Sequence, residues 1–180
     1  MIKAVIFDFD GVLCHDRFYE EMLLPQYQEL YNWIQDNIFG NKDLLHQWMR
    51  NEINTGDINK FIAEGTGYKE EFLKDILLKS LQGIRLDAKI FSLAKELKEL
   101  HNKKNEIFDA VINSADYGCL KAEQNGKLFN KALEILNEKI EDCLFVDDSP
   151  RKVEFFKEKG GQGFLYSNNF DELDELLKLS

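Results

Sequence analysis

The stretch IKAVIFDFDGVL, Ile2 to Leu13, constrains the fold of this chain more than any other. Ile2, Ala4, Val5, Ile6 and Phe7 form a nearly continuous apolar run, the pattern of a strand buried on both faces of a parallel sheet. The run ends on two carboxylates, Asp8 and Asp10, followed by Gly11. In open α/β sheets the carboxyl ends of the strands open onto the crevice where ligands bind. Like charges about 4 Å apart repel by roughly 4 kcal/mol at an effective dielectric of 20, so two acids at such an end call for a counter-charge. A divalent cation supplies one, and hard oxygen ligands suit Mg²⁺. An isolated D-x-D is more often a polar strand end entering a turn, so the remainder of the chain has to decide.

Behind Gly11 the periodicity changes from strand to helix and stays helical to about Leu81. Phe18, Met22, Leu23, Tyr27, Leu30, Tyr31 and Ile34 recur at three- and four-residue spacing, which predicts an amphipathic helix kinked or broken at Pro25. Leu44, Leu45, Trp48 and Met49 predict a second helix, with Trp48 and Met49 in the core. After Thr55-Gly56, Asp57 reads as the N-cap of a third that carries Ile58, Phe61 and Ile62. Phe72, Leu73, Ile76, Leu77 and Leu81 line a fourth, behind the turn Gly65-Thr66-Gly67. Four helices without a strand predict a small all-α subdomain over residues 14–86, inserted into an α/β core formed by 1–13 and 87–180.

In the core, Asp87 caps a helix with Ile90, Phe91, Leu93, Ala94, Leu97 and Leu100 on one face, and the polar His101 to Glu106 reads as a loop. Phe108 to Ile112 is the second strand candidate, running out through Asn113 and Ser114 into a loop with Gly118 and Lys121. A helix over Leu128 to Leu136 leads to the third strand, Cys143 to Val146, which ends on another acid pair, Asp147 and Asp148. Ser149-Pro150 is a helix start, a capping hydroxyl with proline at the first helical position. Gly163 to Tyr166 is a last strand, and Asp171 opens a terminal helix. Strands alternating with helices imply an open parallel sheet between two helical layers, with every strand end on the same edge. Asp8, Asp10, Asp147 and Asp148 then converge, and four carboxylates cannot all stay ionised without a cation among them. A metal site now outweighs two unrelated polar turns.

The formal net charge of −10 argues against nucleic acid or an anionic membrane as the main partner. It also means that an anionic substrate has to be attracted locally. Cys14, Cys119 and Cys143 are far apart, odd in number and contain no C-x-x-C pair, which fits buried thiols in a reduced, cytoplasmic setting. Lys3 and the Asp8/Asp10 pair interrupt the apolar N-terminal run, so it does not read as a secretory leader, and no stretch reaches the roughly 20 apolar residues of a membrane span. His15, His46 and His101 form no ligand-spaced cluster, and there is no G-x-x-x-x-G-K-[ST] loop.

FDFDGVL at the first strand, the helical insert behind it, a mid-chain lysine and LFVDDSP together resemble the haloacid dehalogenase-like superfamily, in its subtype with a small helical cap. The resemblance covers essentially the whole chain. It implies a Rossmann-like core and a Mg²⁺-dependent phosphatase acting on a small phosphorylated metabolite. It makes Asp8 the nucleophile that forms an aspartyl-phosphate, and Asp10 the acid and then the base. Asp148, with Asp147, would hold Mg²⁺ together with Asp8 and the main-chain carbonyl of Asp10. Lys121 matches the lysine that offsets phosphate charge, with Lys127 as the runner-up. The second aspartate, Asp10, favours phosphoryl transfer over halide displacement, because a halide leaving group needs no proton. A phosphomutase would use the same chemistry.

One part of the pattern is not met. The resemblance implies a strand, a phosphate-binding Ser or Thr and a further helix between Leu100 and Phe108, where the chain has only the polar His101 to Glu106. Either Ser114 supplies the hydroxyl, from a strand that pairs directly with the first in a sheet one strand short, or a strand–helix unit has been lost. The second alternative implies an impaired or non-catalytic protein.

Overall fold

Cys143–Asp147, named β2 here, is the strand on which the sheet is centred, and its five residues are all buried. The structure is a computed structural model and describes residues 2–100 and 107–178. The strand Ala4–Phe7 (β1) lies parallel to β2 on one side, with Ala4 opposite Cys143 and Phe7 opposite Val146. Gln162–Leu165 (β3) lies parallel on the other side, with Leu144 opposite Gln162. Among the described residues the sheet therefore has three strands, in the order β1-β2-β3.

Side chains alternate across this sheet, and each face has its own helical layer. Leu144 and Val146 join Val5, Phe7 and Phe164 on one face, under Ile90 and Leu93 of α6 (Ala88–Leu100) and Leu173 of α10 (Phe170–Lys178). Cys143 and Phe145 join Ala4 and Ile6 on the other, under Phe129 of α8 (Lys127–Leu136) and Phe156 of α9 (Pro150–Glu158). The Phe129, Phe145 and Phe156 rings interlock, with centroids 4.9–5.3 Å apart. Such tilted and edge-on pairs add to the stabilisation from burial alone. This is the expected α/β core with a three-layer parallel sheet.

Contacts divide the chain into two units. The first contains Met1–His15, Arg85–Ile112 and Lys121–Ser180, and the second Asp16–Ile84 with Asn113–Leu120. The second is all-helical: α1 (Glu20–Leu23), α2 (Gln28–Ile34, continued by a wider π turn over Gln35–Phe39), α3 (Lys42–Met49), α4 (Thr55–Thr66), α5 (Glu70–Gln82) and α7 (Ser114–Tyr117). Its own core includes Leu23, Leu30, Ile34, Ile58, Ile62 and Leu73. Pro25 separates α1 from α2, as its missing N–H requires. No helix among the described residues is long and apolar enough to cross a membrane.

Four expectations need correction. Phe108 to Ile112 forms no strand: Phe108 packs on the apolar face under α6 and meets Phe91 edge-on, Asp109 pairs with Lys98 at 2.7 Å, and Val111 is 86% exposed. Side-chain anchors fasten this segment to α6, and no strand carries Ser114 to the sheet. The described residues therefore leave one side of β1 without a strand, and β1 is half-buried rather than buried on both faces. Asn54, not Asp57, caps α4; its Oδ1 accepts from the N–H groups of Gly56 and Asp57, while Asp57 accepts from the Asn54 N–H at 2.9 Å. This reciprocal pair is a capping box, which places Asp57 at its third helical position. Met49, expected in the core, is 40% exposed, whereas Trp48 packs against it. The His101–Glu106 loop, and with it the place of the unmatched strand–helix unit, lies outside the described residues.

Candidate active site

The ends of β1 and β2 bring three carboxylates together. Asp8 follows β1 and Asp147 ends β2, and the Asp8 N–H donates to the Val146 carbonyl at 2.9 Å, extending the ladder by one residue. Asp147 is fully buried and Asp8 nearly so, while Asp148 is exposed. One oxygen from each of Asp8, Asp147 and Asp148 lies within 4.8 Å of the other two. Asp10, two residues beyond Asp8, is exposed at the rim.

Backbone geometry holds this arrangement. Gly11 has φ +77°, and Cys14 N–H donates to the Phe9 carbonyl at 2.8 Å, so the chain turns sharply behind β1. A Cβ on Gly11 would sit 2.3 Å from Asp148 Oδ2, so the absent side chain is what lets the second acid pair approach the first loop. Gly11→Ala is therefore expected to cost about 1–2 kcal/mol in stability and to weaken divalent-cation binding roughly tenfold. Thermal melting and calorimetric titration with Mg²⁺ check both. Asp147 is fixed from below, its Oδ1 accepting from the Ser149 N–H at 2.8 Å. Pro150 takes the first position of α9, but the Ser149 hydroxyl makes no capping hydrogen bond there, a second departure from the expected cap.

Two lysines face the buried pair. Lys121 Nζ pairs with Asp8 Oδ1 and lies 3.1 Å from Asp147 Oδ2. Lys152 Nζ lies 3.3 Å from Asp8 Oδ2 and 3.6 Å from Asp147 Oδ1. The Phe9 N–H also donates to Asp8 Oδ1, at 2.6 Å. Burial pushes the Asp8 carboxyl up, but the Lys121 charge, a hydrogen bond with Asp147 and the Lys152 charge outweigh it and hold Asp8 below the usual carboxylate range. Asp147 takes the other half of the pair: burial, the hydrogen bond to Asp8 and the Asp8 charge push it up to about 6. Loss of hydration and the Asp8 charge also raise Asp10. Burial tends to lower Lys152, but Asp8 and Asp147 more than offset that and hold it above the usual lysine range.

The structure thus brings together Asp8, Asp147, Asp148 and Lys121 of the residues expected from the sequence. Ser114 opens α7 in the helical unit, behind the cap Asn113, and Lys127 begins α8. Lys152 was missed. Its signal was present: it is the third residue of the helix that starts at Ser149-Pro150, and first-turn side chains return toward the strand that precedes them. The donor set fits a hard divalent cation. The donors it offers are all carboxylate oxygens, and Asp8, Asp147 and Asp148 against Lys121 and Lys152 leave one negative charge to balance.

No family model matches the chain, and no curated protein matches it. Solved structures do. One, described as a predicted HAD-like family hydrolase from Porphyromonas gingivalis, is 17% identical, with 99% of this chain and 98% of that one covered at a TM-score of 0.74. A HAD family enzyme from Bacteroides thetaiotaomicron, solved in complex with magnesium and inorganic phosphate, is 17% identical over 94% of this chain and 96% of that one, with a TM-score of 0.62. A 2-haloacid dehalogenase from Pseudomonas syringae is 15% identical over 99% of each chain, with a TM-score of 0.58. At such identities the likeness is one of fold: this chain has the haloacid dehalogenase-like (HAD-like) fold, an α/β core with a helical insert.

Proposed function

We propose that this protein is a Mg²⁺-dependent phosphatase of a small phosphorylated metabolite, working through an aspartyl-phosphate on Asp8. The observation that carries this reading is the contrast in surroundings between Asp8, buried against two lysines, and Asp10, at the rim two residues on. Asp8 is buried and held ionised by Lys121 and Lys152, as a nucleophile must be. Asp10, two residues on, has its carboxyl raised, as suits a proton donor. An Asp8 oxygen attacks phosphorus, the bond to the leaving oxygen breaks, and Asp10 gives that oxygen its proton. Asp10, now a base, takes a proton from water as the water attacks phosphorus and the bond to Asp8 breaks, releasing phosphate. Lys121 faces the charge that builds on the phosphoryl oxygens. Asp8, Asp148 and Asp147, with the Asp10 main-chain carbonyl, would hold Mg²⁺, which when bound neutralises the approach of a carboxylate to a phosphate dianion.

The magnesium and phosphate in the Bacteroides thetaiotaomicron structure of the same fold support this choice of ion and substrate class. The dehalogenase of similar fold marks the competing chemistry, and Asp10 is what favours phosphoryl transfer here. The test is phosphate release from a generic aryl phosphate. Release is expected with Mg²⁺ and none after chelation with EDTA. Mg²⁺ binding without any release, across a panel of sugar, nucleotide and aryl phosphates, would overturn the reading in favour of a non-catalytic protein.

A further inference from the structure

Lys152 has no step in this reaction, yet it is seated on both buried carboxylates. Each oxygen of Asp8 and of Asp147 has an ammonium as neighbour: Lys121 on Asp8 Oδ1 and Asp147 Oδ2, Lys152 on Asp8 Oδ2 and Asp147 Oδ1. The two lysines are not held alike. Lys121 lies 3.1 Å from Asp147 and 5.8 Å from the centre of the Phe145 ring. Lys152 has the longer contacts, 3.3 and 3.6 Å, and leaves from the first turn of a helix; the two side chains are similarly exposed, 33% for Lys152 and 27% for Lys121. A lysine so placed can swing its head into water on its flexible stem without disturbing the sheet. The oxygens also differ. Asp8 Oδ1 already accepts from the Phe9 N–H and Lys121, so Oδ2 is the oxygen left for an incoming cation, and Lys152 sits on it.

We propose that Lys152 is a placeholder cation: its ammonium stands between Asp8 and Asp147 in the metal-free protein and gives way when a divalent ion binds. Without it the two buried carboxylates would face each other with Lys121 alone as counter-charge. With it, the ion has to displace a tethered competitor from the same oxygen. Lys152 thus exchanges metal affinity for a metal-free state that stays folded. The inference rests on the metal-site part of the proposed function, and its readouts are metal binding and melting rather than phosphate release.

The experiment uses full-length protein stripped with EDTA, titrated calorimetrically with MgCl₂ and melted with and without it. Lys152→Met should bind Mg²⁺ about tenfold more tightly than wild type and melt about 2–4 °C lower without metal. Lys152→Arg, which keeps the charge, should restore the weaker binding. A role in packing alone would lower stability and loosen binding together, so the opposite signs are diagnostic. If Lys152→Met folds only when Mg²⁺ is present, the ion is replacing the ammonium, which supports the proposal. Unchanged or weaker Mg²⁺ binding by Lys152→Met beside a binding wild type overturns it and leaves the phosphatase reading intact. No binding by either protein removes the metal site itself.

Discussion

Asp8→Asn should lower Mg²⁺-dependent phosphate release by at least about 10⁴-fold, because the amide keeps the shape of the carboxylate and lacks its nucleophilic oxygen. The same change should also reduce stability at neutral pH. Asp8 is held below its ordinary range, so its charge stabilises the fold above the unfolded carboxyl value, and that contribution is lost as pH falls through the lower folded value. The mutant should therefore melt below wild type at pH 7.5, with the gap closing in strong acid. Phosphate release and thermal melting at two pH values separate the two effects. Asp10→Asn should also slow release while keeping Asp8 and its lysines in place. Equal release by wild type and Asp8→Asn would remove Asp8 from the mechanism.

Asp147→Asn should do the reverse to stability. In the metal-free protein the Asp147 carboxyl is raised to about 6 by burial and by Asp8, so the folded state keeps a proton that the unfolded state gives up from about pH 4. Stability from this group is present below the unfolded value and is lost as pH rises through the folded one. Two pH units correspond to about 3 kcal/mol, an upper bound because Asp8 and Asp147 titrate as a pair. Asparagine has no such proton to lose. Stripped Asp147→Asn should therefore melt above stripped wild type at pH 7.5, by an amount that vanishes toward pH 4. Mg²⁺ binding should weaken in the same protein. A lower melting temperature at pH 7.5 would mean that the two lysines need the Asp147 charge more than burial resists it.

Much of this arrangement was legible in the chain because strand-end position is a strong constraint. Two apolar runs ending on Asp8-Phe9-Asp10 and Asp147-Asp148 define one sheet edge, whatever the helices between them do. Tertiary context was harder to read. The Phe108 to Ile112 run has the composition of a strand, yet Phe108 and the Asp109–Lys98 pair fix it to α6, and a short apolar run carries no mark of which anchor will prevail. The half-burial of β1 follows from the same event, since a strand is buried on both faces only when its neighbours and their covering helices are present. Lys152 went unseen because a lysine on an amphipathic helix is normally solvated. The fold shows that the Lys152 side chain, from the first turn of α9, reaches Asp8 just beyond β1 as well as Asp147 at the end of β2. Asp57 read as the cap because an Asp is as good an acceptor there as Asn54, and the reciprocal hydrogen bonds that choose between them are not a property of either residue alone.

The ladder between β1 and β2 has a consequence for the order in which the chain becomes itself. On the ribosome β1 emerges before β2, and among the described residues its strand partner begins 139 residues later, where Lys3 meets Asp142 and Ala4 meets Cys143. The residues of the helical unit's core are under no such delay, since all of them, from Tyr19 to Leu77, precede β2 in the chain. The Asp8 N–H therefore waits for its ladder acceptor until Val146 is made. A nascent chain released before Cys143 would hold every residue of the helical core and the whole FDFDGVL stretch, with no β2 to seat it.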